Sequence, residues 1–118
     1  MKKLVFLTLF AAASLFANEE LQSACNGGDW DKCVELGMKY YKGDGIDKDH
    51  EKAHQLYEKA CETGHNINGC FRAGAFYAIG QGAEHDHDKA LLWLKKACDG
   101  NHEKACKMYD RVLHEDEQ

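Results

Sequence analysis

The chain has 118 residues, with 20 acidic and 15 basic side chains, a formal net charge of −5, six cysteines and no proline. That length holds one small domain, and an acidic balance without a basic patch argues against a nucleic-acid partner. A chain free of proline suits helices joined by glycine turns.

In chain order, the first stretch is "MKKLVFLTLFAAASLFANEE". Two lysines, an apolar run from Leu4 to Phe16 and immediate acidic residues have the layout of a secretory signal peptide over residues 1–17, cut after Ala17. The run is too short for a membrane span, which takes about 20 apolar residues. Cys25 in "LQSAC" is not read as a lipid anchor. Glu19 and Glu20 separate it from the apolar run, and Gln22 stands where an apolar residue is needed. The mature chain is then one domain over 18–118, and removing Lys2 and Lys3 leaves 13 basic against 20 acidic residues. An even number of cysteines behind such a leader reads as a disulfide framework, secreted or periplasmic.

One short helix fits before Cys33. "DKCVELGMKYYKG" follows, where Cys33, Leu36, Gly37 and Tyr40 recur at three and four and mark one face of a helix. "KGDGID" is a turn. "DHEKAHQLYEKACETG" is a second helix with Ala53, Leu56, Tyr57 and Ala60 on its face. The pattern then repeats, with Cys70, Ala73, Gly74 and Tyr77, the turn "IGQGAE", and Ala90, Trp93, Leu94 and Ala97. Glycines end the first helices, and acidic residues favour the starts of the second ones.

A shift of 37 positions lays Gly37 on Gly74, Tyr40 on Tyr77, Gly43 on Gly80, Gly45 on Gly82, Asp49 on Asp86, His50 on His87 and Lys59-Ala60-Cys61 on Lys96-Ala97-Cys98. Cysteines flank each junction, as "ACNGGDWDKC", "ACETGHNINGC" and "ACDGNHEKAC". A period of this size signals a solenoid of stacked supersecondary units. The strings "LGMKYYKGDGIDKDHEKAHQLYEKACETG" and "AGAFYAIGQGAEHDHDKALLWLKKACDG" resemble two consecutive Sel1-like repeats, relatives of the tetratricopeptide repeat. With a cysteine pair across each junction, the chain resembles the Helicobacter cysteine-rich protein family.

The resemblance implies an all-α fold, an α/α solenoid of helical hairpins stapled by disulfides. Full repeats are expected at about 33–69 and 70–105, with capping half-repeats at each end; at the C-terminal end Asp110 stands where a repeat glycine belongs. Six cysteines admit many connectivities. The threefold recurrence, together with the family's mark, singles out Cys25–Cys33, Cys61–Cys70 and Cys98–Cys106. Two repeats are fewer than a solenoid ordinarily needs, and the staples supply the shortfall.

The histidines invite a metal hypothesis through "EHDHD" (His85, His87) and the i,i+4 pair His50 and His54. His50 and His87 are repeat-equivalent, so they are read as packing or surface residues, with no metal and no cofactor expected. "GDGIDKD" lacks the ligand order of a calcium loop. The Gly-x-Gly pairs lack the strand before and the Lys-Ser/Thr after that a phosphate cradle has. Trp30, Trp93, Tyr40, Tyr57 and Tyr77 fall at helical spacing and read as core. Enzymatic activity enters through the resemblance alone, since that family implies β-lactam binding and slow hydrolysis. Ser23 is the one serine of the mature chain and Thr63 its one threonine, and neither opens a Ser-x-x-Lys motif. The reading that remains is a binding module, expected as a monomer. Its first helices offer Glu35, Met38 and Lys39, then Arg72, Ala75 and Phe76, as a non-core strip for a protein, peptide or peptidoglycan-type partner. Glu35, Lys39, Arg72 and Phe76 are the candidate ligand-binding residues.

Overall fold

The computed structural model describes residues 16–115, all of the regular structure among them being helical. The leader expected at residues 1–17 lies, but for its last two residues, outside the described residues. Helix α1 is described over residues 16–26. It is followed by α2 (Trp30–Lys42), α3 (His50–Glu62), α4 (Ile67–Ile79), α5 (His87–Asp99) and α6 (Glu103–Glu115). From α2 to α6 each helix packs on the next in sequence, and α4 also touches α6. Two hairpins, α2–α3 and α4–α5, are thus flanked by single helices.

Helix boundaries follow from local chemistry. Asp29, Asp49, Asn66 and Asp86 each accept a hydrogen bond from the backbone N–H three residues on, satisfying an orphan donor of the first turn. His102 does the same for α6 through Nδ1, which accepts from the Ala105 N–H at 3.2 Å. At the other end, α2 and α4 stop at Gly43 and Gly80, whose φ of 71° and 76° lies in the left-handed region. Asp49 and Asp86 are the acidic residues that the repeat shift aligned.

The core is one cluster running through Val34, Ala53, Tyr57, Ala60, Ala73, Phe76, Tyr77, Ala90, Trp93, Leu94 and Ala97. Two glycines set how closely a hairpin closes. A Cβ at Gly37 would come within 2.6 Å of Tyr57 Cε1, and one at Gly74 within 2.9 Å of Leu94 Cγ. Hydrogen there lets the first helix lie directly on the large side chain of the second.

Disulfides join Cys25 to Cys33, Cys61 to Cys70 and Cys98 to Cys106, each with a Cα–Cα distance of 4.6 Å, and no described cysteine is free. Each bond ties a second helix to the first helix that follows it. The separations of eight or nine residues correspond, by loop-closure entropy, to about 2.5 kcal/mol per bond. Cys25, Cys33, Cys61 and Cys70 are also buried, so they pack as well as staple.

Candidate functional site

The structure divides the first-helix residues between separate clefts and buries one of them. Glu35 and Lys39 project from α2 into a cleft of about 450 Å³ shared with Ala17, Glu20, Leu21 and Ala24 of α1. Together with Met38, Lys42 and Asp44 they also line a smaller hollow of about 190 Å³. Glu35 pairs with Lys32 at 3.2 Å and Lys39 with Asp44 at 3.7 Å. Such solvent-facing pairs hold their geometry loosely and contribute little to stability, so their charges are available to a partner. Arg72 lies farther along, in a cleft of about 430 Å³ between α4 and the start of α6, with Asn68, Phe71 and His102. The His102 ring stacks on Phe71 with centroids 4.3 Å apart.

Phe76 corrects the expectation. It is 7% exposed and belongs to the core rather than to the strip. Its ring meets Tyr57 edge-on at 5.4 Å, stacks on His54 at 5.8 Å and lies 5.7 Å from Tyr41. In the first repeat the equivalent position is Lys39, a charged residue, which is why a strip assigned by register took Phe76 along with it.

Arg72 has a second role. Its guanidinium sits 5.7 Å from the Tyr57 ring centroid. Tyr57 is fully buried, with Arg72 the cation beside its hydroxyl. Burial raises the Tyr57 pKa, and the cation of Arg72 opposes that rise.

A polar cluster at the junction of the repeats went unread in the sequence. His54 is 4% exposed, and its Nε2 lies 2.8 Å from Glu58 Oε2. The same carboxylate oxygen accepts a hydrogen bond from Tyr77 Oη at 2.8 Å. Burial lowers the His54 pKa, and Lys89 acts the same way; the Glu58 carboxylate opposes them without overcoming the burial. Burial raises the Tyr77 pKa, and its hydrogen bond to Glu58 adds to the rise. The i,i+4 spacing of His54 and Glu58 was the available signal, but the sequence pairs His54 equally well with His50.

The other candidate groups fall into structural roles. His50 stacks on Tyr41 at 4.9 Å. Among the described residues no three of His, Cys, Asp or Glu converge as a metal-binding group. Asp49 of "GDGIDKD" caps α3 and Asp44 pairs with Lys39. Gly43, Gly45, Gly80 and Gly82 are turn residues with φ between 70° and 76°. Of the aromatic set, Tyr57, Tyr77 and Trp93 are buried, while Trp30 and Tyr40 are half-buried against the core. Ser23 is exposed on α1. Among the described residues no helix is long and apolar enough to cross a membrane.

Similarity to known proteins follows the same lines. A family model described as Sel1 repeat matches residues 33–65 and 67–102. No curated protein matches the chain. Among solved structures, Helicobacter pylori cysteine rich protein B is similar at 32% identity and a TM-score of 0.73, over 77% of this chain and 68% of that one. A Sel1 repeat protein from Oxalobacter formigenes is similar at 29% identity and a TM-score of 0.75, over 78% of this chain and 26% of its own. The third is c5321, a protective antigen present in uropathogenic Escherichia coli strains and displaying an SLR fold. It gives 28% identity and a TM-score of 0.77, over 83% of this chain and 21% of its own. The chain therefore spans about a quarter of the Oxalobacter protein and about a fifth of the Escherichia one.

Proposed function

The chain belongs to the Sel1 repeat family, and from that premise we propose that it is a disulfide-stapled scaffold, secreted or periplasmic, that binds a protein or peptide partner along its first helices. Sel1 repeats generally mediate protein interactions. The observation that carries the reading is the run of open, mixed-charge clefts along α2 and α4, lined by Glu35, Lys39 and Arg72. A solenoid presents this kind of extended surface to a partner because each repeat contributes the same few outward positions.

The cysteines support the proposed compartment. All six are paired, as suits an oxidising environment. Cleavage after Ala17 removes Phe16, which is 64% exposed, and keeps Asn18, whose Nδ2 donates to the Gly45 carbonyl at 2.8 Å.

The test is positional crosslinking. A photoreactive side chain at Lys39 or Arg72 should trap the same partner from the native compartment, and one at Lys95, exposed on α5, should trap none. Partner bands from Lys95 alone would place the interface on the second helices. The β-lactam alternative has its own readout. Nitrocefin turnover by purified protein that disappears in Ser23→Ala would replace the binding reading with an enzymatic one.

A further inference from the structure

The two successive second-helix junctions are built from register-equivalent positions and differ in two respects. Between α1 and α3 lies a groove of about 290 Å³ lined by Gln22, Asn26, Tyr40, Lys52, Leu56 and Lys59, with Cys25 and Gln55. The same register one repeat later gives Glu58, Glu62, Tyr77, Lys89, Trp93 and Lys96. In both, the first lysine lies over the tyrosine ring, Lys52 over Tyr40 and Lys89 over Tyr77, each at 5.4 Å. The lysines repeat, but the carboxylates opposite them do not.

In the later junction Glu58 holds the Tyr77 hydroxyl, and Glu62 adds its charge at the same tyrosine. In the earlier one, Gln22 and Asn26 bond to each other at 3.1 Å, and neither Lys52 nor Lys59 is in an ion pair among the described residues. No carboxylate lines that groove, in a chain whose net charge is −5. The later junction is also closed. Tyr77 and Trp93 are 7% and 4% exposed, whereas their counterparts Tyr40 and Leu56 are only partly buried. Lys89 and Lys96 make no ion pair among the described residues either, so the junctions differ in the carboxylates beside the lysines and in closure. The first groove is the open copy, with two lysines, amide side chains and no carboxylate in its lining.

We propose that this groove binds an acidic peptide segment of a partner, its carboxylates taken by Lys52 and Lys59. The spacing selects a peptide over a single small anion. Seven residues along a helix separate the two lysines by about 10 Å, and two acidic side chains three positions apart on a polyproline II-like chain, which share one face, are separated by about 9 Å. The amides of Gln22 and Asn26 are placed to meet backbone groups, and Tyr40 and Leu56 to take an apolar side chain between the acids. This site is distinct from the first-helix strip and goes beyond the function proposed for it.

The test is fluorescence anisotropy on the oxidised mature chain, with a short labelled Gly/Ser peptide carrying two glutamates three positions apart, and its glutamine counterpart as control. The acidic peptide should bind at least about tenfold tighter than the control and weaken with added salt. Lys52→Gln with Lys59→Gln should cost about tenfold, while Lys89→Gln with Lys96→Gln should leave affinity within about twofold. Gln22→Glu with Asn26→Glu, which writes the later junction into the earlier one, should abolish binding without changing the helical circular dichroism. Arg72→Glu should bind this peptide normally, so loss of the strip and loss of the groove read separately. Equal binding of both peptides, equal losses in the two lysine variants, or displacement by inorganic phosphate at the peptide's own concentration would each overturn the assignment.

Discussion

The middle of the stack and its C-terminal end are written in the same first-helix register, yet they treat equivalent positions in opposite ways. In α4, Gly74 lies against Leu94 and Tyr77 is 7% exposed. Thirty-six positions on, in α6, the same places hold Asp110, which is exposed, and Leu113, which is 40% exposed. The demand for a missing Cβ therefore comes from the approaching second helix and not from the first helix itself. In α6, where no second helix packs on this face among the described residues, the position holds a charged surface residue. A charge there also disfavours docking of another helix on this face, which would strip water from a carboxylate.

Moving the end's residue into the middle should have the largest effect. Gly74→Asp puts a Cβ within 3.0 Å of the Leu94 backbone nitrogen and a carboxylate into a closed interface. Overpacking and desolvation together should cost about 3 kcal/mol or more. Thermal unfolding followed by circular dichroism measures it, and a midpoint within a few degrees of wild type would mean that the hairpin opens easily at Gly74.

The staples sharpen the same contrast. Replacing Cys61 and Cys70 by alanine frees the junction of the two full repeats and should lower stability by about 2–3 kcal/mol, or roughly 10–20 °C in a domain of this size. Replacing Cys98 and Cys106 frees only α6, which packs chiefly on α5, so the loss should appear as local undocking with less than about half that shift. Equal shifts would show that α6 is as integral to the cooperative unit as α4.

Periodicity made the helices, their order and the faces of α4 and α5 legible, because Gly74, Tyr77, Trp93 and Leu94 sit at regular spacings against neighbours of the same kind. The three cysteine pairs were legible because the turn recurs three times. Register was less informative about Phe76, since strip and core differ there by the size of one side chain and not by the phase of the helix. It also placed Tyr40 and Leu56 fully in the core, whereas the α1–α3 groove leaves them half open. The His54–Glu58–Tyr77 cluster depends on a contact between α3 and α4, which no pattern along a single helix encodes.

That cluster gives the middle a pH dependence which this feature does not give the end. Burial holds the His54 pKa below its ordinary value of 6.5, so the fold favours the neutral ring. The corresponding stability is complete above the unfolded pKa of about 6.5 and is lost as pH falls through the lower folded value. Protonation would place a cation between the rings of Phe76 and Tyr77 with only Glu58 to answer it. Melting curves between about pH 7 and pH 5 should therefore fall more steeply for wild type than for His54→Leu. Parallel curves would mean that the histidine is protonated in place without penalty.

The reciprocal exchange should do the least. Asp110→Gly removes an exposed side chain from the outer face of α6, where no close approach needs the space. Glycine in a helix interior is slightly worse than aspartate, so the expected change is a loss of no more than about 0.5 kcal/mol, at the edge of what a thermal melt detects. The asymmetry is the point: one glycine–aspartate exchange is severe at 74 and nearly silent at 110, although the repeat makes the positions equivalent. Asp110→Gly changing stability by more than about 1 kcal/mol in either direction would show that α6 already has a partner on that face. Its aspartate would then be part of an interface and not a solvated surface residue.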